Sequence, residues 1–99
     1  MVATIALRFM MAKRISLSEK QLVLGSAQIP LSIISSAELI PKDQQFFARG
    51  ALLDSRAFLF YKSGLPDLVR INLADPADPT PYALVSSRRG EELVRLLNS

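Results

Sequence analysis

The side chains that could do chemistry in this chain are carboxylates, hydroxyls and cationic groups, because the sequence contains no Cys and no His. Thiolate nucleophiles, imidazole general bases and the usual ligands of structural zinc are therefore absent. The serines have no His to activate them, and no sequence feature marks a buried lysine that could replace it. The four glycines are isolated from one another, so no glycine-rich loop can cradle a phosphate.

The acidic residues do not form an acid–base pair in the sequence pattern. Glu91 and Glu92 are adjacent, so on a helix their side chains diverge by about 100° and suit the start of the helix instead. Asp75 and Asp78 lie in a proline-rich run, where Asp commonly forms a turn with its own backbone. That run supplies too few oxygen ligands for a carboxylate metal site. We therefore predict that the protein is not an enzyme and binds no metal or cofactor.

A small set of polar and aromatic residues suits contacts with a partner better than catalysis. Asp54 and Arg56 can pair with each other, or Arg56 can meet a phosphate or carboxylate in bidentate geometry. Phe58 and Phe60 share one face of a predicted strand and are expected in the core, whereas Tyr61 is freer to be exposed. The candidate partner or membrane contacts are Lys13, Arg14, Asp54, Arg56, Tyr61 and Tyr82.

The formal net charge of +3 belongs to the N-terminal segment. Arg8, Lys13 and Arg14 lie in a stretch without any acid, whereas the basic and acidic residues from position 15 onwards cancel. A nucleic-acid-binding domain usually carries its basic excess on the folded face that meets phosphate. We therefore expect no nucleic-acid partner, and bases beside an apolar stretch favour a membrane surface.

Residues 1–13 form an apolar segment that precedes the domain predicted for residues 14–99. Read with period two, alternate residues from Ile5 to Met11 share one face, as in a half-buried strand. The stretch is shorter than the about twenty apolar residues that cross a bilayer. It could instead be the end of a membrane helix with Lys13 and Arg14 as its cytoplasmic flank. An added strand and the end of a membrane helix are both open.

Short apolar or alternating runs follow, separated by turn residues. They predict strands at 14–17, 21–24, 27–31, 33–40, 56–62, 68–73 and 82–86. Pro30 predicts an edge strand or a bulge, because proline cannot donate to a ladder. One or two helical turns are expected between Pro41, which suits a first turn, and Gly50, which suits a C-terminal cap.

The C-terminus is predicted to form an amphipathic helix. Leu93, Val94, Leu96 and Leu97 make one apolar stripe at helical spacing, and the three leucines are expected in the core. The elements together indicate an α+β, mainly β fold. We predict a barrel or sandwich of about seven antiparallel strands closed by one C-terminal helix.

The most specific stretch of the sequence is 75–93, DPADPTPYALVSSRRGEEL. It resembles the closing signature of a family of uncharacterised small actinobacterial membrane proteins, D-P-x-D-P-T-P-Y-W-L-V-S-T-R-x-P-E-E-L. Residues 54–59 are similar to its D-P-R-A-Y-L element, and residues 25–31 to its G-x-x-x-I-P-L element. Ala83 departs from the family's frequent Trp, and Gly90 from its frequent Pro.

The resemblance implies two N-terminal membrane helices followed by a soluble domain of pleckstrin-homology-like type, with no known activity. Function does not follow from that fold. The turn at 18–21 holds one base and one acid, so it lacks the cluster of bases that binds phosphoinositides.

The expected function is therefore a non-catalytic binding or scaffolding module at the cytoplasmic face of the cell membrane. It would recognise a protein partner through a sheet edge or a surface groove. The alternative is an oligomerisation domain of a small membrane protein, with the N-terminal strand as the interface of a homo-oligomer. A carboxylate-based enzyme is the least favoured reading, because no two acidic candidates fall together.

Overall fold

The computed structural model describes residues 9–12, 15–62 and 64–98, and these residues form two sheets and two α-helices. The strands are β1 Phe9–Ala12, β2 Ile15–Leu17, β3 Gln21–Leu24, β4 Ala27–Pro30, β5 Ile34–Leu39, β6 Phe58–Phe60, β7 Asp67–Leu73 and β8 Tyr82–Ser87. The helices are α1 Gln45–Arg49 and α2 Gly90–Asn98, and 3-10 turns at Leu31–Ile33 and Lys42–Gln44 precede β5 and α1. The helical turns expected between 41 and 50 are thus present.

Sheet A is an antiparallel meander in the order β1-β2-β3-β4. Its third hairpin turns at Gly25, whose φ of 63° is a left-handed conformation that glycine adopts without a steric penalty. β1 pairs with β2, so residues 9–12 of the apolar segment are a strand. Residues 1–8 and 13–14, with the candidate contacts Lys13 and Arg14, lie outside the described residues.

Sheet B has the order β5-β7-β8-β6, and here the prediction of antiparallel strands is wrong. β6 pairs with β8 in parallel, with Phe58 opposite Ala83. The chain reaches β6 from α1 through the turn at residues 54–57. β6 then runs alongside β8 in the same direction. The two sheets have separate ladders and do not form a closed barrel.

Sheet B separates two apolar clusters, because β7 and β8 bury side chains on both of their faces. The larger cluster lies between the sheets and α2, and its fully buried members include Leu22, Leu24, Val69, Ile71, Ala83, Val85 and Leu93. The smaller cluster lies on the α1 side and contains Ile40, Ala48, Leu68 and Leu84. Phe60 packs against the larger cluster. Phe58 is 37% exposed on the edge strand, so the expectation that it belongs to the core is wrong.

Helix α2 is attached to sheet B at both of its ends. The N–H of Gly90 donates to Asp67 Oδ2 at 2.9 Å. At the other end, the Asn98 amide accepts from the Ala37 N–H at 2.9 Å and donates to the Ala37 carbonyl at 2.8 Å. Leu93 is fully buried, as expected, whereas Leu96 and Leu97 are only partly buried. The helix therefore closes one side of the core mainly through Leu93.

Candidate binding groove

Three of the six predicted contact residues meet at the turn before β6. The Arg56 guanidinium donates to both oxygens of Asp54, at 3.3 Å and 3.2 Å. The Asp54 N–H donates to the Tyr82 hydroxyl at 2.9 Å. Hydrogen bonds from the Arg56 side chain, and then from its backbone N–H, lower the pKa of Asp54 below its ordinary value. Asp54 and Arg56 therefore pair with each other at this turn.

The fourth described contact residue, Tyr61, lies apart from this turn. The guanidinium of Arg49 stacks on its ring, with the guanidinium carbon 4.6 Å from the ring centroid. Tyr82 makes a similar contact with Arg70 at 5.2 Å. The structure thus brings Asp54, Arg56 and Tyr82 together, while Tyr61 belongs to the surface beside α1.

A groove of about 240 Å³ runs along β4, one of the two edge strands of sheet A. All four consecutive residues of β4 line it, although their side chains alternate between the two faces of the sheet. The groove therefore follows the strand edge itself. Its other lining residues are Ile33, Phe58, Leu73, Asp75, Asp78 and Thr80.

The hydrogen-bonding groups that β4 leaves free are on Gln28. Leu24 and Ala27 flank a two-residue turn and exchange hydrogen bonds with each other. From this pair onwards, every second residue pair between β3 and β4 exchanges hydrogen bonds. Leu22 with Ile29 is such a pair, and the N–H of Leu31 continues the ladder by donating to the Lys20 carbonyl at 3.0 Å. The N–H and C=O of Gln28 therefore point away from β3, towards the open edge. Pro30 can offer only its C=O there.

The acidic loop, residues 75–81, contributes Asp75, Asp78 and Thr80 to the lining of the groove. The backbone N–H of Ala77 donates to Asp75 Oδ1 at 2.9 Å, and the N–H of Thr80 donates to Asp78 Oδ1 at 2.9 Å. Hydrogen bonds from the Thr80 N–H, and then from its hydroxyl, lower the pKa of Asp78. The three prolines at positions 76, 79 and 81 fix the backbone further. The predicted turn-forming role of both aspartates is thus present, and both residues line the groove.

Sequence reasoning did not find this groove, because its walls come from three separated segments. The prediction that Pro30 lies on an edge strand was the one local signal for the β4 wall, and it is correct. Nothing in the spacing of Gln28, Phe58 and Asp75 shows that they share one groove. Their proximity depends on how sheet A packs over the end of sheet B.

Among residues 9–12, 15–62 and 64–98, no group of three or more Asp and Glu side chains could hold a metal ion. Within the same described ranges, none of the helices has the length and apolar character needed to span a bilayer.

Residues 1–97 match one protein family, described as "Protein of unknown function (DUF3093)". The match covers nearly the whole chain. No curated protein and no solved structure matches the chain.

Proposed function

Because the chain belongs to the DUF3093 family of proteins of unknown function, we propose its function from the geometry of the groove. The protein is a non-catalytic binding module that takes up an extended segment of a protein partner along the free edge of β4. The observation that carries this proposal is that the whole of β4 lines a groove, with the N–H and C=O of Gln28 directed to its open edge. Strand addition uses such groups for affinity and the neighbouring pockets for specificity.

The contrast between two sheet edges supports the same function. On β5, the outward N–H and C=O of Ala37 form hydrogen bonds with the Asn98 amide. These two groups are therefore not open to pairing with another strand. On β4, the equivalent groups of Gln28 have no hydrogen bond to the described residues. An unpaired edge beside a groove is a template for another strand.

We place this module at the cytoplasmic face of the cell membrane. Arg8, Lys13 and Arg14 lie within a largely apolar and acid-free stretch, which suits attraction to an anionic leaflet. The resemblance to small actinobacterial membrane proteins, with two membrane helices before a pleckstrin-homology-like domain, supports the same address. Two packed sheets and a C-terminal helix are compatible with that domain type.

A displayed library of random heptapeptides tests the binding edge. We expect the wild-type protein to enrich extended peptides and the Gln28→Pro variant to enrich none, because proline removes the outward donor. Position 28 makes no ladder hydrogen bond to β3, so this variant should keep the fold, and circular dichroism checks that it does. Gln28→Thr, which retains the N–H, is the matched control and should behave like the wild type.

Either of two results would contradict binding at the β4 edge. One is the absence of any enriched peptide, and the other is enrichment that Gln28→Pro leaves unchanged. Analytical ultracentrifugation of the protein alone tests whether a second copy of the chain binds to the β4 edge instead. Self-association that Gln28→Pro abolishes would show that a second copy, and not a peptide, occupies the edge.

Cosedimentation with vesicles containing phosphatidylserine tests the membrane address. Each base near an anionic surface contributes about 1 kcal/mol, so Lys13→Gln with Arg14→Gln should weaken binding by roughly tenfold or more at low salt. High salt should remove the binding of the unmodified protein as well. The Arg88→Gln with Arg89→Gln variant removes the same two positive charges and should have little effect on vesicle binding. Equal losses in the two double variants would contradict a specific role for the N-terminal bases.

A further inference from the structure

We propose that the segment paired with β4 carries a lysine or arginine whose cation binds Asp75 and Asp78. This inference rests on the proposed function, and it adds the chemical class of the partner. The two aspartates are the charged residues among those that line the groove. A cationic side chain is therefore the electrostatic complement of this surface.

Both carboxylates retain the capacity to bind a cation. The Asp75 and Asp78 side chains each accept backbone hydrogen bonds through Oδ1, and Oδ2 of each has no hydrogen bond to the described residues. Because the proline-rich loop fixes both turns, a bound cation orders little additional backbone. The hydrogen bonds from Thr80 lower the pKa of Asp78, so this carboxylate stays charged to a lower pH than an ordinary aspartate.

The apolar residues of the groove suit the methylene groups of the lysine or arginine in the bound segment. Ile29, Ile33, Phe58 and Leu73 supply the apolar part of the groove lining. Lysine and arginine place their methylene stems on apolar surface while the charged end remains polar. When one residue of the added strand lies opposite Gln28, the side chain of the next residue faces this lining. A lysine or arginine at that next position would thus lay its methylene groups on the apolar residues and direct its cation to the carboxylates.

A metal ion is a poorer occupant of the same place. Calcium takes six to eight oxygen ligands, and two loop carboxylates supply too few of them. A nucleic acid is also disfavoured, because its phosphates would face two negative charges.

Fluorescence anisotropy with three labelled octapeptides tests the inference on the full chain. In these peptides Val alternates with Lys, with Gln or with Glu, so they differ in charge and keep a strand-forming pattern. We expect the Lys peptide to bind roughly tenfold tighter than the Gln peptide, and the Glu peptide to bind least. Added salt should narrow the difference between the Lys and Gln peptides.

A pair of charge-matched double variants locates the cation site. Asp75→Asn with Asp78→Asn keeps an Oδ1 acceptor at each turn, and it should weaken only the Lys peptide, by roughly tenfold. The control, Asp43→Asn with Glu91→Gln, removes two exposed acids outside the groove lining and should change Lys-peptide affinity less than about twofold.

The outcomes separate this inference from the function on which it rests. If the three peptides bind equally and all lose affinity in Gln28→Pro, the edge binds a strand and the cationic class is wrong. If no peptide binds and no library member is enriched, the proposed function is wrong. Equal losses in the two double variants would also overturn the inference, because they would reflect net charge alone.

Discussion

Replacing Leu93 with Ala should lower the free energy of unfolding by about 2–5 kcal/mol, because a large side chain is removed from a fully packed site. Leu93 is fully buried in the larger cluster, which contains side chains from both sheets. Its removal leaves a cavity that neither the strands nor the short helix α2 can close by a small shift. Urea unfolding followed by circular dichroism measures the change, with the slope of the transition as a check on two-state behaviour.

Leu96→Ala in the same helix is the matched control. Leu96 lies only partly buried at the margin of the same cluster, so its loss should cost less than half as much. Equal costs for the two variants would contradict the packing of α2 described above. A cost below about 1 kcal/mol for Leu93→Ala would mean that α2 is peripheral to the fold.

The elements that the sequence predicts well are those set by local patterns. β3 was predicted at its observed bounds, because a run of alternating residues ends at Gly25, where the turn needs a left-handed conformation. α2 follows from apolar residues at helical spacing and from the acids in its first turn. These signals lie within one element and do not depend on distant partners.

Of the predictions that failed, one has a local cause and the other depends on a partner strand that is distant in sequence. The aromatic run at 56–62 has a high strand propensity, but only Phe58–Phe60 form a strand. Asp54 accepts the N–H of Arg56 at 2.8 Å and holds that residue in a turn instead. The parallel direction of β6 is likewise set by its pairing with β8, and no local pattern records it.

The groove shows the same limit for the candidate site. The turn-forming roles of Asp75 and Asp78 could be predicted from the proline-rich run, because each turn spans two residues. Their presence in one groove with Gln28 depends on the packing of sheet A against sheet B. Local chemistry was therefore predictable, whereas its assembly into a site required the tertiary structure.

Replacing Gly90 with Ala should destabilise the protein by about 2 kcal/mol, although alanine is generally the better helix former. A Cβ at position 90 would lie 2.6 Å from the Asp67 Cβ and 2.8 Å from the Leu39 Cδ1. Helix α2 would have to shift, and the hydrogen bond from the Gly90 N–H to Asp67 would lengthen.

Thermal unfolding measures the cost, and a fall in Tm of about 10 °C is expected for a domain of this size. Leu39→Ala tests the cause, because this side chain is 37% exposed and its truncation removes one of the two close contacts. Gly90→Ala should therefore cost less in the Leu39→Ala background than in the wild type, with a coupling of about 1 kcal/mol. A Gly90→Ala variant as stable as the wild type would mean that helix propensity outweighs the close approach of α2 to β7.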